Sequence, residues 1–155
     1  MIIIDGRHIA DALRADLKEK IKQLPSPPGL GVILVGSDPA SHLYVSLKET
    51  VSKEIGVRFV KKIFPETISP ADLLRTIHEL NADTSIHAIL IQLPLPDGFD
   101  EDEAIAAIDR TKDVDGFHPQ NISALLNGHY DFIKPVLAQS IWALINEGLV
   151  LQNRM

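Results

Sequence analysis

An apolar run from Leu30 to Val35 places the strongest constraint on how this chain can fold. The run is apolar on both faces of a strand, which is typical of a central parallel strand covered by helices on both sides. Gly36 follows it, and the next residues carry a helical periodicity that ends near Gly56. A strand, a turn and a helix in this order place the start of the helix at the carboxyl edge of the sheet, where open α/β folds bind their ligands.

Strand and helix patterns alternate along the rest of the chain. Segments 57–64 and 87–93 predict strands, and Ile2 to Ile4 predicts another short one. Helices are predicted around Ile9, Leu13, Leu17, Ile21 and Leu24, from Ser69 and Pro70, after the capping pair Asp100 and Glu103, over 123–126, and from Val136 to Glu147 with Gly148 as the stop. This alternation predicts an α/β fold with three layers, a largely parallel sheet with helices on both faces. The 155 residues suit one domain, 1–155.

Composition excludes several classes of function. A net charge of -6 without a run of Lys or Arg argues against nucleic acid as a partner. The absence of cysteine excludes disulfides and thiolate metal sites, and the six histidines lack metal-ligand spacing, so no metal is expected. No apolar run has the length of a membrane span, and the start of the chain turns polar too soon for a signal peptide. The sequence therefore predicts a soluble, cytoplasmic protein.

The helix after Gly36 carries the first candidate site residues. Ser41, Tyr44 and Lys48 share one stripe of this helix. The neighbouring stripe, expected to be the buried one, consists of Leu43, Leu47, Val51 and Ile55. Partial burial beside that stripe would lower the pKa of Lys48 into a range useful for proton transfer. The alternatives are that Lys48 is a solvated helix lysine and that Tyr44 is a packing residue.

Two other positions bring polar groups to the same sheet edge. Gln92 ends an otherwise apolar strand, and Asp113 and Asp115 precede Gly116 in a loop. With Gly36 these groups are expected to converge at the carboxyl edge of the sheet. Gln92 could instead bond only to the strand backbone, and Asp residues before a glycine often satisfy turn amides. Neither Gly-x-Ser-x-Gly nor Gly-x-Gly-x-x-Gly occurs, so a serine hydrolase and a self-contained dinucleotide site both lack support.

Three ordered motifs together resemble a known family. They are Val35-Gly-Ser-Asp-Pro-Ala-Ser41 with Tyr44-Val-Ser-Leu-Lys48, then Gln92-Leu-Pro-Leu-Pro96, then Lys112-Asp-Val-Asp-Gly-Phe-His-Pro-Gln-Asn121. The chain resembles the N-terminal catalytic domain of the bifunctional methylenetetrahydrofolate dehydrogenase/cyclohydrolase family, most strongly over residues 1–133. The resemblance implies an enzyme of one-carbon folate metabolism that binds methylene- or methenyltetrahydrofolate and forms a homodimer.

The resemblance also implies roles for single residues. Lys48 would be the catalytic lysine, Tyr44 would line the folate and help to hold that lysine, and Gln92 would assist by hydrogen bonding. Asp115 would bind the pterin ring. Leu93 and Pro94, which follow Gln92, would complete the folate site. NADP is implied as the cofactor of the dehydrogenase reaction, with its site in a nucleotide-binding domain that this chain lacks.

The chain departs from the family pattern in two places. Residues 132–140 replace a Pro-Cys-Thr-Pro-type segment, and Ser123 replaces a usual glycine, so the wall of the cleft is expected to differ. The nucleotide-binding domain should begin near Met155, so cyclohydrolase chemistry is expected here and hydride transfer is not. Two alternatives stay open: a non-catalytic, folate-binding or dimer-forming remnant of the family, and a lyase that forms a Schiff base through Lys48.

Overall fold

A computed structural model describes residues 3–129 and 133–153. The elements, in chain order, are α1 (Gly6–Lys22), β1 (Gly29–Val35), α2 (Pro39–Ile55), β2 (Arg58–Phe64), α3 (Pro70–Ala82), β3 (Ala88–Ile91), α4 (Glu101–Ala106), α5 (Pro119–Leu126) and α6 (Val136–Asn153). Among these helices none is long and apolar enough to cross a membrane.

The sheet is parallel and has β1 at its centre. Its strand order is β2-β1-β3, with Leu30 opposite Phe59 on one side and opposite Ala88 on the other. Both connections run through a helix, as parallel neighbours require. The central, doubly covered strand predicted from the apolar run at Leu30 is therefore confirmed.

Helices cover both faces of the sheet, which confirms the three-layer α/β architecture. On one face Ile33 and Ile89 pack against Leu73 and Ile77 of α3, and α4 adds Ala104. On the other face Val32, Leu34 and Leu90 pack against Val45 of α2. Alternate residues of β1 thus enter different cores, because successive strand side chains point to opposite faces.

Several predicted boundaries are wrong. Ile3 and Ile4 do not form a strand, and Ile2 lies outside the described residues. The third strand is shorter than 87–93, since it ends at Ile91 before the Leu93–Pro94 bond. α6 continues through Gly148 instead of stopping there. A Cβ on Gly148 would lie 2.9 Å from Ile4 Cδ1, so this glycine permits close contact with the chain's start and does not cap the helix.

The first helix is less buried than its apolar periodicity predicted. None of the residues of α1 is buried, and Leu13 and Leu17 are exposed. The helix packs against α2, where Ile21 approaches Gly56, and its first residue, Gly6, approaches Leu144 of α6. An amphipathic pattern shows that a helix has an apolar face, but it does not show how fully that face is covered.

Candidate active site

The turn after β1 starts α2 at the carboxyl edge of the sheet. Gly36 has a φ of 93°, a left-handed conformation that glycine adopts without a Cβ penalty. Asp38 caps the helix, because its Oδ2 accepts a hydrogen bond from Ser41 N at 2.7 Å. Hydrogen bonds from Ser41 hold the pKa of Asp38 below its ordinary value. The cap fixes where the helix begins, and hence where Lys48 lies along it.

The buried face of α2 is different from the one predicted. Ser41, Val45 and Ser52 are buried, whereas Leu43 and Leu47 are 59% and 53% exposed. The buried residues follow a spacing of four and seven that also includes Lys48. The prediction of a buried stripe through Leu43, Leu47, Val51 and Ile55 is therefore wrong, because small serine side chains let the helix lie close to the sheet. Lys48 lies on the sheet-facing stripe itself, not beside it.

Lys48 is joined directly to the end of β3. Its Nζ donates a hydrogen bond to Gln92 Oε1 at 2.8 Å. Gln92 in turn donates from Nε2 to Leu93 O at 2.7 Å, and its backbone N donates to Ile33 O at 2.8 Å. The amide nitrogen is thus committed to a carbonyl, which leaves the amide oxygen facing the lysine. Gln92 bonds to the backbone, as its alternative interpretation held, and it also accepts the hydrogen bond from Lys48.

Asp115 reaches the same cleft from the loop after α4. The loop is attached to β3 by the bond from Val114 N to Ile89 O at 3.4 Å. It is attached to α6 by the bond from Val136 N to Asp115 O at 3.1 Å. These two attachments place the Asp115 side chain between the sheet and the first turn of α6.

A cavity of 360 Å³ joins these elements. It is lined by Leu30, Leu47, Lys48, Val51, Ser52, Leu90, Val114, Asp115 and Val136. Lys48 and Asp115 are the two charged members of this mostly apolar lining. An apolar cavity with a few convergent polar groups is the usual form of a small-molecule site.

The two charged groups have pKa values shifted in opposite senses. Burial lowers the pKa of Lys48, and the negative charge of Asp115 partly opposes that shift. Burial raises the pKa of Asp115; the Lys48 charge lowers it and the Asp113 charge raises it further. Each shift favours the neutral form of its group. Lys48 is therefore easier to deprotonate than a solvated lysine, which is the direction of shift that the sequence predicted.

The remaining predicted site residues do not line this cavity. Tyr44 precedes Lys48 by one helical turn and is 58% exposed. Leu93 packs against the core on the α3 side of the sheet, and Pro94 is exposed. The structure thus brings Lys48, Gln92 and Asp115 together, and it gives Tyr44, Leu93 and Pro94 no contact with the cavity.

One wall of the cavity has no local signal in the sequence. Val136 lies at the start of α6, far along the chain from the other lining residues. It belongs to the segment 132–140 that departs from the family pattern; of that segment, residue 132 lies outside the described residues. The two aspartates of the loop have different surroundings. Asp113 accepts hydrogen bonds from turn amides, as the turn interpretation held, whereas Asp115 lines the cavity.

A larger cavity lies elsewhere but offers less chemistry. It measures 480 Å³ between α5 and α6 and is lined by Leu125, Lys134, Ala138, Gln139, Trp142, Ala143 and Asn146. Of these lining residues only Lys134 is charged. The smaller cavity holds two charged groups with shifted pKa values, so it is the stronger candidate for an active site. The described residues contain no cluster of three or more His, Asp or Glu that could hold a metal ion.

Comparison with protein families gives a match over most of the chain. Residues 4–115 match the model for the catalytic domain of tetrahydrofolate dehydrogenase/cyclohydrolase. The matched region contains β1, α2 and β3 with Lys48, Gln92 and Asp115, and it ends before α6. The wall formed by Val136 therefore lies beyond the matched region.

Curated relatives and solved structures agree with this match. Bifunctional protein FolD 2 of Geobacter sulfurreducens is 43% identical over 94% of this chain and 52% of its own length. The crystal structure of the bifunctional FolD enzyme from Campylobacter jejuni superposes with a TM-score of 0.91 at 37% identity, over 94% of this chain and 53% of that one. FolD of Trypanosoma brucei, solved in complex with NADP cofactor and inhibitor, has a TM-score of 0.88 at 30% identity over 94% of this chain and 51% of that one. This chain thus spans about half the length of the relatives that it matches.

Proposed function

Since the chain belongs to the tetrahydrofolate dehydrogenase/cyclohydrolase catalytic-domain family, we propose that residues 1–155 form a folate-binding catalytic domain that hydrolyses methenyltetrahydrofolate. The observation that carries this proposal is the 2.8 Å hydrogen bond from Lys48 Nζ to Gln92 Oε1, at a cavity that also holds Asp115. The family suggests the substrate, and the bonded lysine supplies the chemistry that its hydrolysis requires.

Lys48 would move the protons of the reaction. Water adds to the cationic carbon between the two folate nitrogens, and neutral Lys48 accepts a proton from that water as the carbon–oxygen bond forms. The protonated lysine then gives this proton to the ring nitrogen as the carbon–nitrogen bond breaks. The hydroxyl proton leaves to solvent and a formyl group remains. The lowered pKa of Lys48 supports this cycle, because burial makes its neutral form, the proton acceptor, easier to reach than that of a solvated lysine.

Gln92 and Asp115 would prepare the lysine and the substrate. A neutral amide orients the Lys48 amine without adding a negative charge that would keep it protonated. Asp115 can accept paired hydrogen bonds from the amino and ring N–H groups of the pterin. Tyr44 would line the folate and help to hold Lys48, while Leu93 and Pro94 would contact the substrate.

The described residues do not fit a dinucleotide at the equivalent turn. In dinucleotide folds the pyrophosphate binds to free amides at the helix start after a glycine-rich turn. Here the Asp38 carboxylate already accepts a bond from Ser41 N at that position, and its charge would repel a phosphate. NADP-dependent methylenetetrahydrofolate dehydrogenation is therefore proposed only for this domain together with a nucleotide-binding domain.

The remaining parts of the proposal concern assembly and location. We propose a homodimer in the cytoplasm, with folate as the small-molecule partner and neither nucleic acid nor membrane as a partner. Exposed apolar residues on α6, including Leu137 and Trp142, support association with another protein surface. The lack of cysteine agrees with a reducing compartment. Light scattering of the purified chain tests the dimer.

The test of the activity is to follow methenyltetrahydrofolate absorbance with the purified chain. Acceleration over buffer is expected from the chain alone. No acceleration, even after addition of a nucleotide-binding domain, would reject the proposal. Folate binding without turnover would instead favour a non-catalytic remnant. Trapping of a carbonyl substrate on Lys48 by borohydride would favour the Schiff-base lyase.

A further inference from the structure

Asp113 is a buried carboxylate with no part in the proton transfers described above. Only 2% of the residue is exposed. Its Oδ1 accepts a hydrogen bond from Gly116 N at 3.0 Å, and its Oδ2 accepts bonds from His118 N at 2.8 Å and Asn121 Nδ2 at 2.9 Å. A buried carboxylate needs such partners, because burial without hydrogen bonds strongly disfavours a charge. One side chain thus binds three points of the chain that follows it.

These bonds close a turn that contains Asp115. Asp113 is itself fixed beside β3, where it forms a parallel bridge with Ile89. Residues two apart on an extended strand point the same way, yet the Asp113 carboxylate lies inside the turn and Asp115 lines the cavity. The chain must therefore bend between them, and the Asp113 bonds hold that bend.

The turn is also packed from outside. Gly116 has a φ of 74°, and a Cβ there would lie 2.5 Å from the backbone carbon of Lys134. Asn121, at the start of α5, is 1% exposed and donates to Arg110 O at 2.9 Å as well as to Asp113. The turn thus lies between α5 and the segment that leads into α6, so a change in its shape would move Asp115 relative to Lys48.

We propose that Asp113 is a positioning residue of this site, whose buried carboxylate holds the 113–121 turn so that Asp115 faces the folate beside Lys48. The inference rests on the proposed function, because Asp115 matters only if the cavity binds a pterin or a similar donor-bearing ring. A carboxylate is required because it only accepts hydrogen bonds, whereas asparagine would direct an NH₂ group at one of the three donors.

The experiment compares Asp113→Asn with a matched control, Asp109→Asn. Asp109 lies in the same loop and also closes a turn, accepting bonds from Thr111 N and Thr111 Oγ1, but it is exposed and does not line the cavity. The KM and kcat for methenyltetrahydrofolate are measured for each folded variant. Asp113→Asn is expected to raise KM about tenfold and to change kcat less, because substrate contact is misplaced while Lys48 is retained. The Asp109 variant should match the parent within about twofold.

A second variant guards against failure of Asp113→Asn to fold. Asn121→Ala removes only one of the three donors and leaves the carboxylate in place, and it is expected to raise KM by a smaller factor of about three. The inference is overturned if folded Asp113→Asn keeps the KM of Asp109→Asn and loses only thermal stability. It is also overturned if Asp113→Asn does not fold and Asn121→Ala keeps the parental KM.

Failure of the hydrolase activity and failure of the Asp113 role give different results. If the parent chain does not turn over methenyltetrahydrofolate, the proposed function itself fails. If the parent is active and Lys48→Met is not, while the Asp113 and Asp109 variants behave alike, then only the positioning role of Asp113 fails.

Discussion

Replacing Gln92 by glutamate puts a negative charge where the neutral amide now meets Lys48. At the observed Nζ–Oε1 separation of 2.8 Å, a unit charge favours the protonated amine by about 1.5 kcal/mol even at the dielectric constant of water. This corresponds to about a tenfold increase in the ratio of protonated to neutral amine. The partly buried site is less polar than water, so this figure is a lower bound. If neutral Lys48 is the base, Gln92→Glu should lower turnover at neutral pH by about tenfold or more.

The pH–rate profile gives this prediction its specific signature. The limb in which the rate rises with pH should move upward by about one unit or more in Gln92→Glu, so that raising the pH restores much of the lost rate. The matched control is Gln92→Met, which removes the hydrogen bond without adding a charge. It should lower the rate at all pH values and leave the limb near its parental position. If Gln92→Glu lowers the rate without moving the limb, the argument that the amide keeps Lys48 deprotonable is refuted.

Two further predictions concern stability. The raised pKa of Asp115 means that its charged form destabilises the fold above that pKa, a cost that is absent below the ordinary value of 3.8. Asp115→Asn should therefore unfold at a higher urea concentration than the parent at pH 7, and this difference should disappear as the pH falls towards 4. The variant should also bind folate weakly. A parent that is more stable than the variant at pH 7 would contradict the prediction. Val45→Ala should lower the free energy of unfolding by about 2 kcal/mol and Leu47→Ala by less than about 1 kcal/mol, because Val45 is 2% exposed and Leu47 is 53% exposed. Equal losses for the two variants in urea unfolding would show that a different face of α2 is buried.

The sheet was predictable because its central strand leaves little choice. The apolar side chains of a run such as Leu30 to Val35 are buried only if both faces of the strand are covered, and the helical segments before and after it can cover them. The start of α3 at the Ser69 cap and the end of α2 at Gly56 were equally predictable, since each position favours a particular residue type. Such signals are local and are decided by the backbone.

The face of α2 was not predictable from its hydrophobic residues alone. Leu43 and Leu47 outnumber the apolar residues on the sheet-facing stripe, yet that stripe is built around Ser41, Val45 and Ser52. Small polar side chains are buried there because the helix lies close to the sheet. Leu47 instead lines the cavity, where an apolar wall serves ligand contact more than core packing.

Three of the candidate site residues were predictable and one wall was not. Lys48, Gln92 and Asp115 follow from motifs whose order places them at one sheet edge, and the structure brings them to the same cleft. Val136 comes from a distant segment, and only the tertiary fold brings it there. Which of Asp113 and Asp115 faces the cavity also depends on the closed turn, because two aspartates in one loop are equivalent until their hydrogen bonds are known.

The central claim is that Lys48 carries protons in the hydrolysis of methenyltetrahydrofolate, and the most direct measurement compares Lys48→Met with Lys53→Met. Lys53 lies on the same helix, is exposed, and pairs with Glu49 at 2.7 Å. The claim predicts that Lys48→Met lowers kcat about a hundredfold or more, keeps folate binding, and changes the free energy of unfolding by no more than about 1 kcal/mol. Lys53→Met should keep the parental kcat within about twofold. A folded Lys48→Met variant with a near-parental kcat would contradict the claim.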